Sequence, residues 1–227
     1  MVPGMLRLAL FARWPVAGLV KTRLSPALPA PLACDLYRAM LEDALALAAE
    51  AEAGERFLYW AGAPSARDGF ATPTGFHVRD QLGEDLGERL ERAFDDLLRA
   101  PADRAVILGA DCPALEAGTL SAAFDALDSH DAVLGPARDG GYYLVGLGRS
   151  APELFRDVEW STARVLDQTL AHAAKAGLNT ALLPALDDLD TPEDLLRWLA
   201  IRAGGDGPGA PGALDEALRA MGLLPPG

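Results

Sequence analysis

Three cations stand close together in a short, glycine-bearing segment near the start of an acidic chain. They are Arg13, Lys21 and Arg23, and Gly18 lies between the first two. Fixed cations on such a loop suit phosphate groups, because glycine lets the backbone approach closely and the cations pair with phosphate oxygens. The segment from Leu6 to Pro26 therefore predicts a phosphate-binding loop placed directly after a buried strand.

Carboxylates occur at two later points that also follow apolar runs. Asp111 ends the run ILGADCP, and Asp188 and Asp190 belong to the segment DDLD. Magnesium in proteins takes one or two carboxylates together with phosphate oxygens and water, so these residues are candidate ligands for Mg²⁺ or Mn²⁺. Simpler roles stay open for each. Asp111 fits a turn, and the other two fit acidic residues placed before a helix N-terminus.

Two further segments combine small, aromatic and hydroxyl residues: Asp139, Gly140, Gly141 and Tyr142 in the first, and Trp160, Ser161 and Thr162 in the second. The first segment fits a plain hairpin turn, since Asp-Gly is a strong turn signal, and equally fits a close approach of substrate to the backbone. The second predicts a helix whose N-cap is Ser161 or Thr162, beside a buried tryptophan. Its alternative role is to bind an acceptor anion at that N-terminus.

The elements that position these residues alternate between strands and helices. Short apolar runs predict strands at Leu6–Ala12, Arg56–Trp60, Ala105–Leu108, Ala132–Leu134 and Leu178–Leu183, with a turn and a further strand over Ala137–Leu147. Helical spacing predicts helices at Ala30–Ala51, Gly83–Ala100, Glu116–Leu127, Trp160–Ala176 and Ala213–Met221. A further helix is predicted to begin at Pro192, with Thr191 as its N-cap. This alternation is typical of an α/β protein with a mostly parallel, doubly wound sheet, whose ligands lie beyond the carboxyl ends of the strands.

Composition narrows the class of protein. Half of the 227 residues are apolar and the formal net charge is −13, which opposes non-specific binding to nucleic acid or to an anionic membrane. No apolar run approaches the roughly 18 residues of a membrane span, so a cytoplasmic protein is expected. Cys34 and Cys112 fit neither a disulfide framework nor a zinc site. We expect one domain over residues 1–203, a Gly/Pro linker over 204–212 and a short helix and tail over 213–227. The sequence leaves a homodimer open.

Six motifs occur in an order and spacing that resembles one family: FARWPVAGLVKTRL, QLGEDLGERL, ILGADCPAL, VLGPARDGGYYLVGL, WSTARVLDQTL and DDLDTPEDL. The family is that of stand-alone bacterial transferases related to 2-phospho-lactate guanylyltransferase, often described as glycosyltransferases and in part linked to arsenosugar pathways. The similarity covers about residues 6–199. It implies a nucleotide-diphospho-sugar transferase fold of the GT-A type, a Rossmann-like three-layer sandwich with a mostly parallel mixed sheet.

The resemblance also implies roles for individual residues. Lys21, Arg23 and Asp111 become the catalytic group, and Asp111 holds the metal with Asp188 or Asp190. The nucleotide-binding residues implied are Arg13, Gly18, Lys21, Arg23, Gln81, Gly83 and Asp85. The acceptor-binding residues implied are Asp139, Gly140, Gly141, Tyr142, Trp160, Ser161 and Thr162.

The metal motif separates two activities. Glycosyltransferases of this fold usually carry Asp-x-Asp, whereas this chain has Asp111-Cys112-Pro113, closer to the Asp-x-Pro of the guanylyltransferases. The leading hypothesis is therefore Mg²⁺-dependent transfer of a nucleoside monophosphate, with guanine suggested by the relatives, from an NTP to a small phosphorylated or carboxylate acceptor. The alternatives are a glycosyltransferase that uses a nucleotide-diphospho-sugar, and a nucleotide-binding regulator without turnover.

Overall fold

A computed structural model describes residues 4–25, 27–62, 70–204, 207–208 and 212–225 of the chain. Its strands are β1 (Leu6–Arg13), β2 (Glu55–Ala61), β3 (Phe76–Asp80), β4 (Arg104–Gly109), β5 (Ala132–Pro136), β6 (Tyr142–Leu147) and β7 (Thr180–Leu182). Its α-helices are α1 (Ala30–Glu50), α2 (Leu86–Leu97), α3 (Ala117–Ala126), α4 (Val165–Lys175), α5 (Pro192–Ala203) and α6 (Ala213–Ala220). Among the described residues, no helix has both the length and the apolar character needed to cross a membrane.

The strands form a mixed sheet in the order β3-β2-β1-β4-β6-β5-β7. All neighbouring pairs are parallel except the two that involve β6, which runs antiparallel to β4 and β5. The expected α/β fold with a mostly parallel mixed sheet is confirmed. Because β5 and β7 run in the same direction as β1 and β4, the segments that follow these four strands emerge at one edge of the sheet.

Apolar side chains fill a core on each face of the sheet. Alternate residues of β1 point to opposite sides, with Leu8 and Leu10 in the core under α1 and α3, and Ala9 in the core under α2. Helix α4 joins the second face through Ala173. A third cluster packs α5 and α6 against the outer side of α1. The result is the expected three-layer arrangement, with α5 and α6 added outside α1.

The C-terminal helix docks through polar as well as apolar contacts. The Asp43 carboxylate on α1 accepts hydrogen bonds from the backbone amides of Ala213 and Leu214, at 2.7 and 2.9 Å. These amides are among the unpaired donors of the first turn of α6, so the carboxylate caps that helix from another element. Residues 205–206, 209–211 and 226–227 lie outside the described part of the chain, and the division into domain, linker and tail stays a prediction.

Several local expectations need correction or addition. Strand β3 was not predicted, because its five residues FHVRD include only two apolar ones and the strand lies half-exposed at the edge of the sheet. Neither Ser161 nor Thr162 is an N-cap, since α4 starts only at Val165 after Arg164. Pro26, the last residue of the predicted phosphate loop, lies outside the described residues.

The start of α5 is confirmed in detail. The Thr191 hydroxyl accepts a hydrogen bond from the Asp194 amide at 3.3 Å, and the Asp194 carboxylate accepts one from the Thr191 amide at 2.8 Å. These two bonds form a capping box, with Pro192 in the first turn. The box fixes where the chain passes from the acidic segment DDLD into the helix.

Candidate active site

The loop after β1 places the Lys21 ammonium inside the protein. Lys21 itself is in the left-handed backbone region, at φ 48°, and precedes a short 3-10 helix, Thr22–Leu24. Leu24 is fully buried in the third core, which anchors the loop. As a result the Lys21 side chain is only 2% exposed, an uncommon environment for a lysine.

Three acceptors surround that ammonium. Its Nζ donates to Asp111 Oδ1 at 2.5 Å and to the Leu189 carbonyl at 2.7 Å, and lies 3.5 Å from Asp190 Oδ1. An ammonium has three donors, so these acceptors use all of them. The segments that follow β1, β4 and β7 thus converge on one charge, and the structure brings Lys21, Asp111 and Asp190 together.

A backbone contact holds the two acidic segments in register. The Leu189 amide donates to the Asp111 carbonyl at 2.9 Å, and the Leu189 side chain is buried. Just upstream, the Leu186 amide donates to the Pro136 carbonyl at 3.0 Å. The segment after β7 therefore lies along the ends of β4 and β5 and cannot shift without losing these bonds.

The carboxylates paired with Lys21 remain open to solvent. The Asp111 side chain is 55% exposed and that of Asp190 is 35% exposed. Burial by itself lowers the pKa of the Lys21 ammonium, but these carboxylates outweigh burial and raise its pKa. A buried ammonium that is charged at neutral pH thus faces acids whose outer sides are accessible to a ligand.

Asp188 differs from its two acidic neighbours. Its Oδ1 accepts a hydrogen bond from the Cys112 thiol at 2.6 Å. Burial, with help from the Asp139 and Asp111 carboxylates, raises the pKa of Asp188 to about 6. Burial also raises the pKa of the Cys112 thiol, so this sulfur is protonated at neutral pH and donates its hydrogen bond.

A cavity of about 600 Å³ opens beside this cluster, and both arginines and aspartates line it. Arg23 is 66% exposed and donates to Asp190 Oδ2 at 3.0 Å. On the far side Asp187 accepts from Arg138 at 3.2 Å and from Arg197 at 3.1 Å. Sequence reasoning missed Arg138, Asp187 and Arg197. The first two sit beside residues that it did identify, whereas the sequence around Arg197 is that of an ordinary helix face.

The predicted nucleotide-binding residues after β3 have clear structural contacts. The Gln81 amide donates to the carbonyls of Ala12 and Tyr59, at 3.2 and 3.0 Å, and so ties together the ends of β1 and β2. Asp85 caps α2, because its Oδ1 accepts from the Glu88 amide at 2.9 Å. Gly83 has a φ of 143° and no room for a side chain. A nucleotide-binding role for these residues stays a prediction.

The remaining members of the predicted nucleotide set lie at the end of β1 and in the loop that follows it. Arg13 is exposed, and its backbone amide donates to the Tyr37 hydroxyl at 2.9 Å. Gly18 has a φ of 82°, a conformation that glycine adopts without strain, and open space surrounds the position of its missing Cβ. These two residues thus sit on the accessible surface of the loop, whereas Lys21 is turned inward.

The two predicted acceptor segments contact each other. Gly140 has a φ of 93°, and a Cβ there would lie 2.2 Å from the Ala163 carbonyl oxygen. Its own carbonyl accepts from the Leu166 amide at 2.9 Å, so the turn is bonded to the start of α4. The Tyr142 ring packs edge to face on Trp160 with centroids 6.3 Å apart.

Polar contacts complete these segments. Asp139 Oδ1 accepts from the Gly141 amide at 2.9 Å, which is the turn expected from Asp-Gly-Gly, and Asp139 also lines the cavity. The Thr162 hydroxyl donates to the Glu159 carbonyl at 2.7 Å, and Ser161 has a φ of 64°. Asp139 thus shares the cavity with Asp188 and helps to raise its pKa, while Tyr142 and Trp160 pack against the second core.

Two carboxylates of this cluster are open to a metal ion. Among the described residues, no group of three or more His, Cys, Asp or Glu side chains is arranged to hold one. Asp111 and Asp190 nevertheless approach the same ammonium and keep exposed surface. Since magnesium needs only one or two carboxylates when phosphate oxygens and water complete its shell, this donor pair fits a metal that binds together with a phosphate ligand.

Comparison with solved structures identifies the class of fold. A proposed nucleotide-diphospho-sugar transferase from Desulfovibrio desulfuricans G20 is 28% identical, with a TM-score of 0.85 over 97% of this chain and 96% of that one. Two more distant structures share the fold. The CMP:2-keto-3-deoxy-manno-octonic acid synthetase complexed with CTP has 13% identity, a TM-score of 0.53 and coverage of 89% and 100%. The Rv0371c complex with manganese from Mycobacterium tuberculosis H37Rv has 20% identity and a TM-score of 0.52, over 86% of this chain and 98% of that one.

The fold is thus that of the nucleotide-diphospho-sugar transferase superfamily, and the similar proteins include transferases and nucleotide-binding synthetases. The chain belongs to the family described as "Uncharacterized protein conserved in bacteria (DUF2064)", which matches residues 44–162. The comparison with curated proteins finds no match.

Proposed function

We propose that this protein is a metal-dependent nucleotidyltransferase of the guanylyltransferase type. It would join a nucleoside monophosphate from an NTP to a small phosphorylated or carboxylate acceptor and release pyrophosphate. The observation that carries the proposal is the convergence of Lys21, Asp111 and Asp190 at the carboxyl edge of the sheet, beside a cavity lined by exposed arginines. Such an arrangement supplies opposite charges for a metal and for phosphate groups.

The reaction exchanges one phosphorus–oxygen bond for another. An acceptor oxygen attacks the α-phosphorus, the bond from that phosphorus to the bridging oxygen breaks, and pyrophosphate leaves with the electron pair. A phosphate or carboxylate acceptor is already ionised at neutral pH, so the protein needs no general base. Its main tasks are to align the two substrates and to stabilise the leaving group.

The residues of the chain divide these tasks. Arg23, which is 66% exposed, and the exposed Arg13 would pair with the leaving pyrophosphate. Lys21 fixes the Asp111 and Asp190 carboxylates through its buried ammonium. Asp111, with Asp190 or Asp188, would hold Mg²⁺ or Mn²⁺, and that ion supplies positive charge to the phosphate oxygens when bound.

Substrate-binding roles follow from the layout of the edge. The nucleoside would lie near Gln81, Gly83 and Asp85 at the ends of β1 to β3. The acceptor would lie near the turn from Asp139 to Tyr142 and the bonded segment from Trp160 to Thr162. The positions of these groups on either side of Asp111 in the sheet order support the assignment.

Glycosyl transfer from a nucleotide-diphospho-sugar is the second candidate. It is favoured by the 28% identity to the proposed nucleotide-diphospho-sugar transferase over nearly the whole chain. The same cations would then stabilise a departing diphosphate, and a hydroxyl acceptor would need a base. The sequence Asp111-Cys112-Pro113 in place of Asp-x-Asp favours nucleotidyl transfer.

Pyrophosphate release distinguishes the two candidates. The protein is incubated with Mg²⁺, each NTP in turn and a panel of phosphorylated acids, and the same mixtures without acceptor control for simple NTP hydrolysis. We expect acceptor-dependent pyrophosphate from at least one pair. Tight binding of a nucleotide-diphospho-sugar, with no pyrophosphate from any NTP, would contradict the proposal.

A further inference from the structure

The carboxylates that would hold the metal are already neutralised by cations of the protein itself. Lys21 contacts Asp111 and Asp190, and Arg23 contacts the second oxygen of Asp190. Within this pair of carboxylates two positive side chains balance two negative ones, whereas the neighbouring Asp188 accepts its hydrogen bond from the Cys112 thiol instead. The Lys21 ammonium is also fixed, because the Leu189 carbonyl accepts its remaining hydrogen bond and the side chain is 2% exposed.

This balance disfavours a metal ion that arrives alone. A free divalent cation bound to these carboxylates would place two more positive charges near an ammonium that is buried and held by three acceptors, and like charges at short range repel. A triphosphate carries about four negative charges, so its complex with one divalent ion is negative overall and matches Lys21 and Arg23.

We propose that Lys21 acts as an electrostatic lock, which excludes free divalent cations from the Asp111 and Asp190 pair and admits a metal only with a polyphosphate. The proposal rests on the proposed function for the nature of the ligand. A lysine that merely joined three loops would act differently. Its loss would loosen the carboxylates and weaken the binding of every ligand, so the two roles predict opposite changes in the affinity for free metal.

The substitution Lys21→Met separates these roles, since methionine keeps much of the length of the side chain and removes its charge. Binding of Mn²⁺ alone is followed by electron paramagnetic resonance, and binding of the complex of Mn²⁺ with inorganic triphosphate by calorimetry. We expect the variant to bind free Mn²⁺ about tenfold more tightly than the wild type and to bind the complex about tenfold less tightly, within the usual range of coupling between sites.

Two further variants keep the test decisive. Lys175, the other lysine of the chain, is exposed on α4, and Lys175→Met should change neither affinity. Arg23 is exposed, so Arg23→Met should fold normally and shift both affinities in the same directions as Lys21→Met but by less. The Arg23 variant therefore tests the lock even if Lys21→Met does not fold.

The outcomes are distinct from those of the activity assay. Free Mn²⁺ that binds Lys21→Met and Arg23→Met no more tightly than the wild type would overturn the lock, as would a parallel loss of both affinities. If no pair of NTP and acceptor releases pyrophosphate, but these variants bind free Mn²⁺ more tightly than the wild type, nucleotidyl transfer is rejected. The proposed role of Lys21 in excluding free metal is then still supported.

Discussion

Two buried cations hold carboxylates near opposite ends of β1. Arg7, near its start, donates to Glu55 and to Asp103, each at 2.5 Å, and to the Leu97 carbonyl at 2.6 Å. Lys21, beyond its end, pairs with Asp111 and Asp190. Both cations are at most 8% exposed. The two clusters thus share the same kind of pairing and differ in what surrounds the acids.

Asp103, the buried acid of the first cluster, has no capacity left for a ligand. The Asp103 side chain is 5% exposed and also accepts hydrogen bonds from the backbone amides of Met5, Arg99 and Ala100. Asp111, by contrast, is 55% exposed. A buried ion pair whose acid is fully bonded serves the fold, whereas one whose acid stays open to solvent is available to bind a ligand.

The largest expected effect on stability lies in the Arg7 cluster. Asp103→Ala leaves the Arg7 guanidinium buried with one acid missing, and we expect the free energy of unfolding to fall by about 3 to 5 kcal/mol. Chemical denaturation measures this loss. Asp128→Ala, which removes an exposed partner of Arg104, is the control and should cost less than about 1 kcal/mol. Similar losses of unfolding free energy in both variants would contradict a structural role for the Arg7 cluster.

A smaller effect, on substrate binding, is expected at the exposed cation of the second cluster. Arg23→Ala removes a guanidinium that faces the cavity, so we expect KM for the NTP to rise about tenfold, with a change in unfolding free energy below about 1 kcal/mol. Arg156→Ala is the matched control, because Arg156 is 61% exposed and pairs with Glu91 elsewhere. Equal KM values for the two variants would show that Arg23 does not contribute to NTP binding.

The smallest expected effect is a pH dependence of opposite sign in the two regions. Hydrogen bonds and the Arg7 charge outweigh burial and lower the pKa of Asp103 below 3.8, so its contribution is present above that pH and is lost as the pH falls further. Burial raises the pKa of Asp188 from 3.8 to about 6, so stability instead decreases as the pH rises between these values.

Denaturation curves between pH 3 and 8 test this difference. We expect Asp103→Asn to remove part of the loss at acid pH, and Asp188→Asn to remove the decrease between about pH 4 and 6. If Asp188→Asn leaves the curve between pH 4 and 6 unchanged, the carboxyl is not held in the environment described above.

The elements that carry the site were predictable because their signals are local. Buried runs and helical spacing located most strands and helices, and Thr191 with Pro192 marked the start of α5. Strand β3 was missed because it is only five residues long, contains just two apolar residues and lies at the exposed edge of the sheet. Ser161 and Thr162 are residue types that often cap helices. In the structure, however, the Thr162 hydroxyl donates to the Glu159 carbonyl and Ser161 has a positive φ, so both belong to a turn before α4.

The environment of Lys21 could not be predicted in the same way. Its ammonium is buried by residues 90 and 168 positions away in the sequence. Such burial depends on how three loops pack after the sheet has formed, and lysine is rarely buried. Residue types and order therefore indicated a cationic loop and two acidic segments, but not that the central cation faces the acids rather than the cavity.

The central claim is that the active site lies at the carboxyl edge of the sheet, with Asp111 as a metal ligand. The substitution Asp111→Asn tests this claim most directly. The substitution keeps the shape of the side chain and an oxygen for Lys21, but removes the charge available to a metal. We expect metal-dependent pyrophosphate release to fall at least about 100-fold, while the free energy of unfolding changes by about 1 kcal/mol or less. Unchanged pyrophosphate release from a folded Asp111→Asn protein would contradict the account.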